Sequence, residues 1–421
     1  MNNDFKIING NSLEVLETLE ANSIDAIITD PPYELGFMGK KWDSTGIAYN
    51  VQLWEKALKV LKPGGYLLAF GGTRTYHRIA CAIEDAGFEI RDCIMWLYGS
   101  GFPKSMNIGL AIDKKNGVES IDTGIVSPNA RPNCDKSNTL YESGTVGKEF
   151  TVKKATNEWG GWGTQLKPAY EPIIIARKPV ENTIVDNVIQ WGVGGINIDE
   201  CRVGDEEHSV NINDFSNQHG NKWGNGEPIA KMGEKTVIGR FPANVIHDGS
   251  EEVTKDMPKN VATNPKELGD YGFCFDEGKR SNKQMSHGYE DSGSVSRYFY
   301  CAKASSKDRD EGLDLIINSN NFHPTVKPVE LMQYLVRLVA PRGATVLDIF
   351  NGSGSTGKAV AFENKERSAG YKYIGIELDP QYCKISEARI EYALHKYKYD
   401  VQEAIKENEK KGQLSLFDDF D

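Results

Sequence analysis

Four residues that could do chemistry stand together, because Asp30, Pro31, Pro32 and Tyr33 follow an apolar segment that ends at Thr29. Neither proline has a backbone N–H, and each disfavours helical geometry in the residue before it, so regular structure stops here. The rigid turn can point the carboxylate of Asp30 and the carbonyl of Pro31 at the two N–H groups of one amine. The ring of Tyr33 offers a flat surface for stacking. The motif therefore suits a planar amine.

Two acceptors on one amine would have a chemical consequence. The exocyclic amine of adenine is a poor nucleophile because its lone pair is delocalised into the ring, and acceptors on both of its protons would localise that pair for attack. The alternative is that Asp30 only caps a strand that ends in a proline turn. The apolar residues Ala26 to Ile28 place the motif at the carboxyl end of a buried strand, where open α/β sheets bind ligands. This position favours the chemical interpretation.

A glycine loop lies far along the chain from this motif. The segment VLDIFNGSGSTG places Gly352, Gly354 and Gly357 directly after an apolar strand, and Glu377 ends the next strand. Glycines let the backbone approach a ligand, and the carboxylate can accept hydrogen bonds from ribose hydroxyls. NAD and S-adenosylmethionine both fit this pattern, and Asp348 could help to neutralise the sulfonium of the latter. A tight strand-to-helix turn without a ligand is the remaining alternative.

The elements that would hold these residues alternate between strand and helix patterns from residue 5 to 105 and again from His323 onwards. This alternation predicts a parallel sheet covered by helices. Between the two halves the chain is rich in Gly, Asn, Ser and Lys, except at Tyr170–Pro179, where a further core strand is predicted. The predicted regions are a catalytic half at 1–106, an insert at 107–321, a cofactor-binding half at 322–398 and an acidic flexible tail at 399–421.

Composition limits the class of protein. The 421 residues are 39% hydrophobic and 26% charged, as expected of a globular protein with a buried core. The seven cysteines form no CxxC pair and the histidines do not cluster, so neither a metal site nor a disulfide framework is predicted. No signal peptide and no apolar run of about 18 residues is present, so we expect no membrane segment and a cytoplasmic location. The net charge of −11 still permits one basic face for nucleic acid.

Several segments in order resemble the DNA amino-methyltransferases that modify adenine N6 or cytosine N4, in the group whose catalytic motif precedes the cofactor motif. The segments are TDPPY, LKPGGYLLAFGG, WLYGSGFPKS, LKPAYEPIIIARKP, HPTVKPVELM, LDIFNGSGSTG and YIGIELDPQY. The resemblance covers most of residues 5 to 395. It implies an α/β fold, namely the Rossmann-like methyltransferase sheet of seven strands in circularly permuted motif order, with an inserted target-recognition region.

The resemblance also implies roles for individual residues. Asp30, Pro31, Pro32 and Tyr33 would form the catalytic motif, with no metal. The residues expected to bind S-adenosylmethionine are Asp348, Phe350, Asn351, Gly352, Ser353, Gly354 and Glu377, together with Thr325, Lys327 and Pro328 at its methionine part. His323 is assigned no chemistry. Asn11 and Ile349 differ from the residues of many relatives, and altered cofactor contacts are the largest change expected from them.

A stacked base in duplex DNA cannot reach such a motif, so the enzyme is expected to flip it out of the helix. The insert is predicted to hold the double-stranded DNA meanwhile. Its candidate contacts are Lys153, Lys154, Trp159, Trp162, Lys167, Arg177, Lys178, Lys222 and Trp223. Taken singly, each is more simply a solvated cation or part of a small core. Only the insert as a whole is predicted to recognise the target.

The chain ends in KKGQLSLFDDFD, in which Gln413, Leu414, Leu416 and Phe417 lie close together on a polar tail. Apolar anchors in a flexible segment are typical of binding peptides. The stretch QLSLF resembles the short peptide by which bacterial replication and repair proteins dock on the DNA sliding clamp. The alternative is a tail helix that packs on its own domain.

The sequence thus predicts methyl transfer from S-adenosylmethionine to adenine N6 in DNA. Cytosine N4 is the nearest alternative because its amine poses the same lone-pair problem, although Asp30 favours adenine, since cytosine enzymes of this family more often carry Ser at that position. An NAD-dependent oxidoreductase follows from the glycine loop alone. A DNA-binding protein without catalysis is the third possibility.

Overall fold

The computed structural model describes residues 4–36, 41–101, 105–126, 151–213, 231–260, 293–302, 308–313 and 320–395. The chain forms two compact units. The smaller consists of Gly99–Tyr170, and the larger contains the residues before and after it.

The first part of the chain alternates between strands and helices up to Val126, in agreement with the alternation predicted for residues 5 to 105, and its last three strands follow one another. In chain order its elements are β1 (Phe5–Asn9), α1 (Ser12–Thr18), β2 (Ile24–Thr29), α2 (Val51–Val60), β3 (Leu61–Phe70), α3 (Tyr76–Asp85), β4 (Glu89–Leu97), α4 (Ile108–Lys115), β5 (Ile121–Val126), β6 (Thr151–Lys154) and β7 (Tyr170–Arg177).

The second part begins with a helix and two long strands, continues through short strands and then returns to long helices. Its elements are α5 (Ile184–Trp191), β8 (Val203–Asn213), β9 (Lys231–Arg240), β10 (Val245–His247), α6 (Glu251–Thr254), β11 (Lys259–Asn260), β12 (Gly293–Ser294), β13 (Tyr300–Cys301), α7 (Val329–Val339), β14 (Thr345–Asp348), α8 (Ser355–Arg367), β15 (Lys372–Glu377) and α9 (Pro380–Leu394).

A nine-stranded sheet forms the centre of the larger unit, in the order β1-β15-β14-β2-β3-β7-β4-β10-β13. The pairs β1–β15, β14–β15, β14–β2, β2–β3, β4–β10 and β10–β13 are parallel, and β7 is antiparallel to β3. The predicted α/β fold with a mostly parallel sheet is therefore confirmed. The sheet exceeds the seven strands implied by the resemblance because β10 and β13, which lie in the predicted insert, extend the edge beyond β4.

The two halves of the sequence meet between β14 and β2. From β14 the chain passes through α8 to β15 on one side, whereas from β2 it passes through α2 to β3 on the other. Ligands bind at such a switch point in open α/β sheets, because the two connections leave a crevice at the strand ends. Strand β2 is buried along its whole length, as expected of a central parallel strand.

Strand β3 begins earlier than its sequence indicates. Residues 62–65 (KPGG) predict a turn, yet the strand starts at Leu61 and its register with β2 shifts between Leu61 and Tyr66. The extra residues bulge around the buried amide of Asn187, which donates to the carbonyl of Pro63 at 2.9 Å. Gly64 has a φ of +77°, and a Cβ there would lie 2.2 Å from that amide nitrogen. The bulge therefore requires glycine.

The smaller unit is organised around a buried carboxylate on α4. Asp113 accepts hydrogen bonds from the backbone N–H and the hydroxyl of Thr156, at 2.9 and 2.7 Å, and from the side-chain amide of Asn157 at 2.7 Å. Strands β5 and β6 form an antiparallel pair in this unit. The hydrogen bonds hold the pKa of Asp113 below its ordinary value.

The described ranges contain neither a membrane-spanning helix nor a group of side chains arranged for a metal ion. None of their helices is long and apolar enough to cross a membrane. Within the same ranges, no group of three His, Cys, Asp or Glu side chains is arranged to hold a metal ion.

Candidate active site

The proline motif and the glycine loop lie side by side, although they are far apart in the sequence. Strand β2 ends at Thr29 and its parallel neighbour β14 ends at Asp348. The hydroxyl of Thr29 donates to Oδ1 of Asp348 at 2.7 Å across 319 residues of sequence. The sheet thus brings the predicted catalytic and cofactor residues to one crevice.

Asp30 has one oxygen in use and one oxygen without a partner. Its Oδ2 accepts a hydrogen bond from Nζ of Lys327 at 2.6 Å. Its Oδ1 is buried and has no hydrogen-bond partner among the residues that the structure describes. A buried carboxylate oxygen without a donor costs free energy, so the geometry is that of an acceptor which awaits an N–H from a ligand.

Lys327 lies between two carboxylates. Besides Asp30, its ammonium approaches Oε2 of Glu171 at 3.3 Å. Burial disfavours the charged amine, but the attraction of Asp30 and Glu171 outweighs it, and the pKa of Lys327 is raised above its ordinary value. The hydroxyl of Tyr33 donates to the same oxygen of Glu171 at 2.9 Å. Burial and the two nearby carboxylates raise the pKa of Tyr33 well above its ordinary value, so this phenol remains a hydrogen-bond donor.

Two aromatic rings flank the ammonium. Its Nζ lies 5.4 Å from the ring centroid of Tyr33 and 4.9 Å from that of Phe70 at the end of β3. Tyr33 also packs against Gly72, where a Cβ would lie 3.2 Å from the ring carbon Cδ2. A base that stacks on Tyr33 would have to use the face of the ring that Lys327 does not cover.

The carboxylate of Asp348 holds the glycine loop. Its Oδ2 accepts from the hydroxyl of Thr356 at 2.6 Å, and its Oδ1 accepts from the backbone N–H of Phe350 at 3.0 Å. Burial raises its pKa to about 6, and the hydrogen bonds offset part of that effect. Both oxygens are engaged inside the protein, so Asp348 can influence a sulfonium through its charge but is not arranged as a direct ligand.

Glu377 closes the loop from the next strand. Its Oε2 accepts from the backbone N–H of Gly352 at 2.7 Å and its Oε1 from that of Asp379 at 2.9 Å. Burial raises its pKa to about 7, although these N–H groups act in the opposite direction. The side chain is only half-buried, and each oxygen keeps a second lone pair. It therefore fits the two hydroxyls of a ribose.

The other predicted cofactor residues divide into two groups. The side chains of Asn351 and Ser353 are buried beneath the loop, where Asn351 binds the hydroxyls of Ser386 and Tyr373. Gly354 has a φ of +78° and begins α8. The half-buried or exposed residues beside them are Phe350, Gly352 and Thr325. The buried residues shape the loop and the accessible ones are left to meet a ligand.

The segment HPTVKP runs from the glycine loop to the catalytic motif. The imidazole of His323 packs against Gly352, where a Cβ would lie 3.0 Å from its Nε2. Burial lowers the pKa of His323 to about 4, so the ring is neutral at pH 7. Pro328 caps α7, and Lys327 just before it points to Asp30. The structure therefore places the lysine amine at the catalytic motif, and its role at the methionine part of the cofactor stays a prediction.

The predicted DNA contacts are distributed unevenly. Arg177 is buried and donates to Glu89 at 2.6 Å, and Lys178 donates to the carbonyls of Leu58 and Leu61 at the end of α2, so both stabilise the fold. In the smaller unit, Lys153 and Lys154 are exposed, Lys167 donates to the carbonyl of Gly99, and the exposed rings of Trp159 and Trp162 meet edge to face at 5.2 Å. Lys222, Trp223 and the tail residues Gln413, Leu414, Leu416 and Phe417 lie outside the described residues.

One residue of the site was missed by the sequence analysis. Glu171 is the second residue of β7 and joins Tyr33 to Lys327. The sequence feature that could have indicated Glu171 is an acidic residue at the start of the apolar strand in YEPIIIARKP. A charged side chain at a strand end is, however, more often simply solvated.

Comparison with known sequences now identifies the family. The family model for N6/N4 DNA methylases, described as DNA methylase, matches residues 24–388. The chain belongs to this DNA methylase family. Its cofactor is S-adenosylmethionine. A family that uses S-adenosylmethionine argues against the NAD-dependent oxidoreductase that followed from the glycine loop alone.

Individual relatives align over parts of this DNA methylase. It is 23% identical over 235 residues to the type II methyltransferase M.HindIII of Haemophilus influenzae, covering 45% of this chain and 64% of that protein. It is 38% identical over 94 residues to the DNA adenine methyltransferase YhdJ of Escherichia coli, covering 22% of this chain and 29% of that protein. The chain thus spans less than two thirds of either relative.

Among solved structures, the cytosine-N4-specific PvuII DNA methyltransferase aligns over 92% of this chain and 87% of that chain. The sequence identity is 13% and the TM-score is 0.44.

Proposed function

We propose that this DNA methylase transfers a methyl group from S-adenosylmethionine to N6 of adenine in double-stranded DNA. The observation that carries the proposal is the buried, unpartnered Oδ1 of Asp30, which lies beside the glycine loop at the switch point of the sheet. An amine N–H would satisfy this oxygen. The planar amines of adenine and cytosine both provide such a donor.

The reaction requires little covalent chemistry from the protein. S-adenosylmethionine, when bound, would supply an electrophilic methyl group, whose bond to the sulfonium sulfur breaks as the amine attacks so that the neutral thioether S-adenosylhomocysteine leaves. Asp30 Oδ1 and the carbonyl of Pro31 accept the two amine protons and so direct the nitrogen lone pair out of conjugation. Lys327 holds Oδ2 of Asp30 at 2.6 Å, which fixes the plane of the carboxylate. The amine loses one proton as the new N–C bond forms, and Oδ1 is the acceptor placed to receive it.

The residues that would bind the cofactor follow from the loop geometry. Glu377 would accept hydrogen bonds from the ribose, and the backbone at Gly352 and Gly354 would let the nucleoside approach closely. Asp348 would bias the site toward a cation through its negative charge while its oxygens stay bound to Thr29 and Thr356.

The target base must leave the duplex to reach Asp30, at a cost of a few kcal/mol that a stacking surface offsets in part. Tyr33 is the ring on which it would stack, at roughly 1–3 kcal/mol per base. We infer that residues 107–321 hold the DNA, with Trp159, Trp162 and the lysines of β6 as the exposed groups suited to this role.

Adenine is favoured over cytosine by the carboxylate at position 30 and by the similarity to YhdJ, a DNA adenine methyltransferase. The test is to incubate the protein with methyl-labelled S-adenosylmethionine and DNA, digest the product to nucleosides and separate them. We expect N6-methyladenine from the wild type and no label from Asp30→Ala. Recovery of N4-methylcytosine would overturn the choice of base, and absence of both would overturn the proposed function.

The tail gives a separate proposal about partners. We propose that Gln413, Leu414, Leu416 and Phe417 bind the sliding clamp, because apolar anchors on a polar terminal segment suit a docking peptide. Clamp binding should be lost in the double variant Leu416→Ala, Phe417→Ala while DNA methylation in the absence of clamp is unchanged. Equal clamp binding by both proteins would contradict the proposal.

A further inference from the structure

We propose that Glu171 is a positioning residue of methyl transfer, which acts through Tyr33 and Lys327. The inference rests on the proposed function, since it assigns a role within the same site. Glu171 stands at the start of the antiparallel strand β7, which lies between β3 and β4 in the sheet. Its side chain keeps 20% of its surface exposed, so it is anchored by the strand and faces the crevice.

Two contacts of Glu171 share a single oxygen, and Tyr98 also hydrogen-bonds its side chain. The Oε2 of Glu171 accepts the Tyr33 hydroxyl at 2.9 Å and lies 3.3 Å from the Lys327 ammonium. The ammonium in turn donates to Asp30 at 2.6 Å. One carboxylate oxygen therefore fixes both the ring on which the base would stack and the cation that orients the acceptor of its amine.

The charges of the cluster show why a carboxylate is needed at this position. Asp30 and Glu171 together carry two negative charges and share the single ammonium of Lys327, which is 7% exposed. The cluster therefore keeps net negative charge, and Oδ1 of Asp30 retains a strong attraction for an amine proton. A neutral side chain at position 171 would leave the whole ammonium to Asp30 and weaken that attraction.

The hydroxyl contact has a geometric consequence. Terminal torsions of aromatic side chains are broad, so a tyrosine ring is held in one plane by its packing and by any hydrogen bond at its hydroxyl. Tyr33 packs against Gly72 on one edge and is tied to Glu171 at its tip. Loss of the tip contact would let the ring tilt, and a base stacked on it would move relative to Asp30.

The experiment compares wild type, Glu171→Gln, Tyr33→Phe and the double variant in single-turnover methylation of DNA. We expect Glu171→Gln to lower the rate by about 10- to 100-fold, since a displacement of about 1 Å can cost that much. Tyr33→Phe should cost less, because it breaks only the hydroxyl contact. Because the amide oxygen of the glutamine can still accept the Tyr33 hydroxyl, Glu171→Gln removes only the charge. The double variant also loses the hydroxyl contact and should be slower than either single variant. The dissociation constant of S-adenosylmethionine should stay within about twofold of wild type in each variant.

A spectroscopic readout separates positioning from general damage to the fold. DNA with 2-aminopurine at the target position fluoresces when the base is unstacked, and stacking on Tyr33 quenches it. We expect higher fluorescence from the complex of Tyr33→Phe than from that of wild type, at saturating protein, and a smaller increase from that of Glu171→Gln, which keeps an acceptor for the hydroxyl. The matched control is Glu17→Gln, which removes a carboxylate from an exposed pair with Lys56 and should change neither rate nor fluorescence.

The outcomes are distinct. Wild-type rate and fluorescence in Glu171→Gln would overturn the inference. If Glu171→Gln does not fold, Tyr33→Phe carries the test, and wild-type rate and fluorescence in that variant would overturn the inference as well. A wild-type protein that methylates neither adenine nor cytosine would instead overturn the proposed function.

Discussion

The two sides of the crevice are built in opposite ways. At the glycine loop, both oxygens of Asp348 and both of Glu377 accept hydrogen bonds from the protein itself. At the proline motif, Asp30 shares one lysine with Glu171 and keeps a buried oxygen that no donor of the described residues reaches. The loop is complete as it stands, whereas the motif is complete only when a ligand supplies an N–H.

This difference indicates a division of labour. A loop whose carboxylates are satisfied internally holds its shape before the cofactor arrives, so binding does not have to order it. A cluster with an unpaired acceptor stores an unfavourable contact that a substrate relieves, and such contacts are concentrated at reactive positions. Substitutions in the glycine loop should therefore affect folding and cofactor affinity. Substitutions in the proline motif should affect the reaction rate.

Asp30→Ala should produce the largest effect, and only on the reaction. Removal of the acceptor should lower the rate of methyl transfer by about 10²- to 10³-fold or more, as loss of a preorganised electrostatic contact does elsewhere. Lys327 keeps Glu171 as a partner, so the fold and the dissociation constant of S-adenosylmethionine should be close to those of wild type. Single-turnover kinetics and calorimetric titration of the cofactor measure the two effects. Cofactor binding lost in parallel with activity would contradict the division between the two sides.

Gly354→Ala should act on the glycine loop, and its effect on the free energy of unfolding should be smaller than the effect of Asp30→Ala on the activation free energy. Gly354 has a φ of +78°, and a Cβ there would lie 2.4 Å from Oγ of Ser386 and 3.0 Å from its Cα. Left-handed geometry alone costs an alanine about 1 kcal/mol. Overpacking should add about 1–3 kcal/mol to the loss in the free energy of unfolding.

The matched control for this variant is Gly343→Ala. Gly343 has a φ of +79°, and a Cβ added there would meet no atom of the described residues within 4 Å. Its substitution therefore measures only the cost of left-handed backbone geometry for an alanine. Urea unfolding of both variants without cofactor gives the comparison. Equal destabilisation by the two substitutions would show that the packing of the loop against Ser386 contributes nothing.

Much of this division could be predicted from the sequence. The position of Asp30 directly after a buried strand predicts a ligand site there, because open α/β sheets bind ligands at the carboxyl ends of their strands. The glycine spacing and Glu377 predicted the loop. These features are local, since each depends on a few neighbouring residues and on the general rules of α/β sheets.

Side-chain partners across long sequence distances could not be predicted in the same way. The sequence predicts Lys327 at the methionine part of the cofactor. In the structure its ammonium pairs with Asp30, because Lys327 directly precedes the residue that caps α7. Arg177 and Lys178 were candidate DNA contacts, but long basic side chains can bury their stems, and carbonyls at a helix end attract a cation. Which of these happens depends on packing that residue types do not encode singly.

The smallest effect concerns how cofactor affinity depends on pH, and it tests Glu377. Burial raises the pKa of this carboxyl to about 7, whereas an unfolded glutamate titrates near 4.5. The folded state thus binds the extra proton more tightly, so its stability falls as pH rises between these values. Ribose hydroxyls donate to the ionised form. S-adenosylmethionine should therefore bind more tightly as pH rises from about 6 to 8, by up to about tenfold per unit below pH 7, and should release about half a proton at pH 7.

Calorimetric titrations in buffers of different ionisation heat measure that proton directly. Glu377→Gln keeps the shape of the side chain but cannot titrate, so its cofactor affinity should be weaker and level between about pH 7 and 8, with no proton released. Asp348, whose pKa is raised to about 6, should change the cofactor affinity only below about pH 7. Proton uptake on cofactor binding by the wild type, or the same release by both proteins, would mean that the loop carboxylate does not receive the ribose. The glycine loop would then be preorganised for a different part of the ligand.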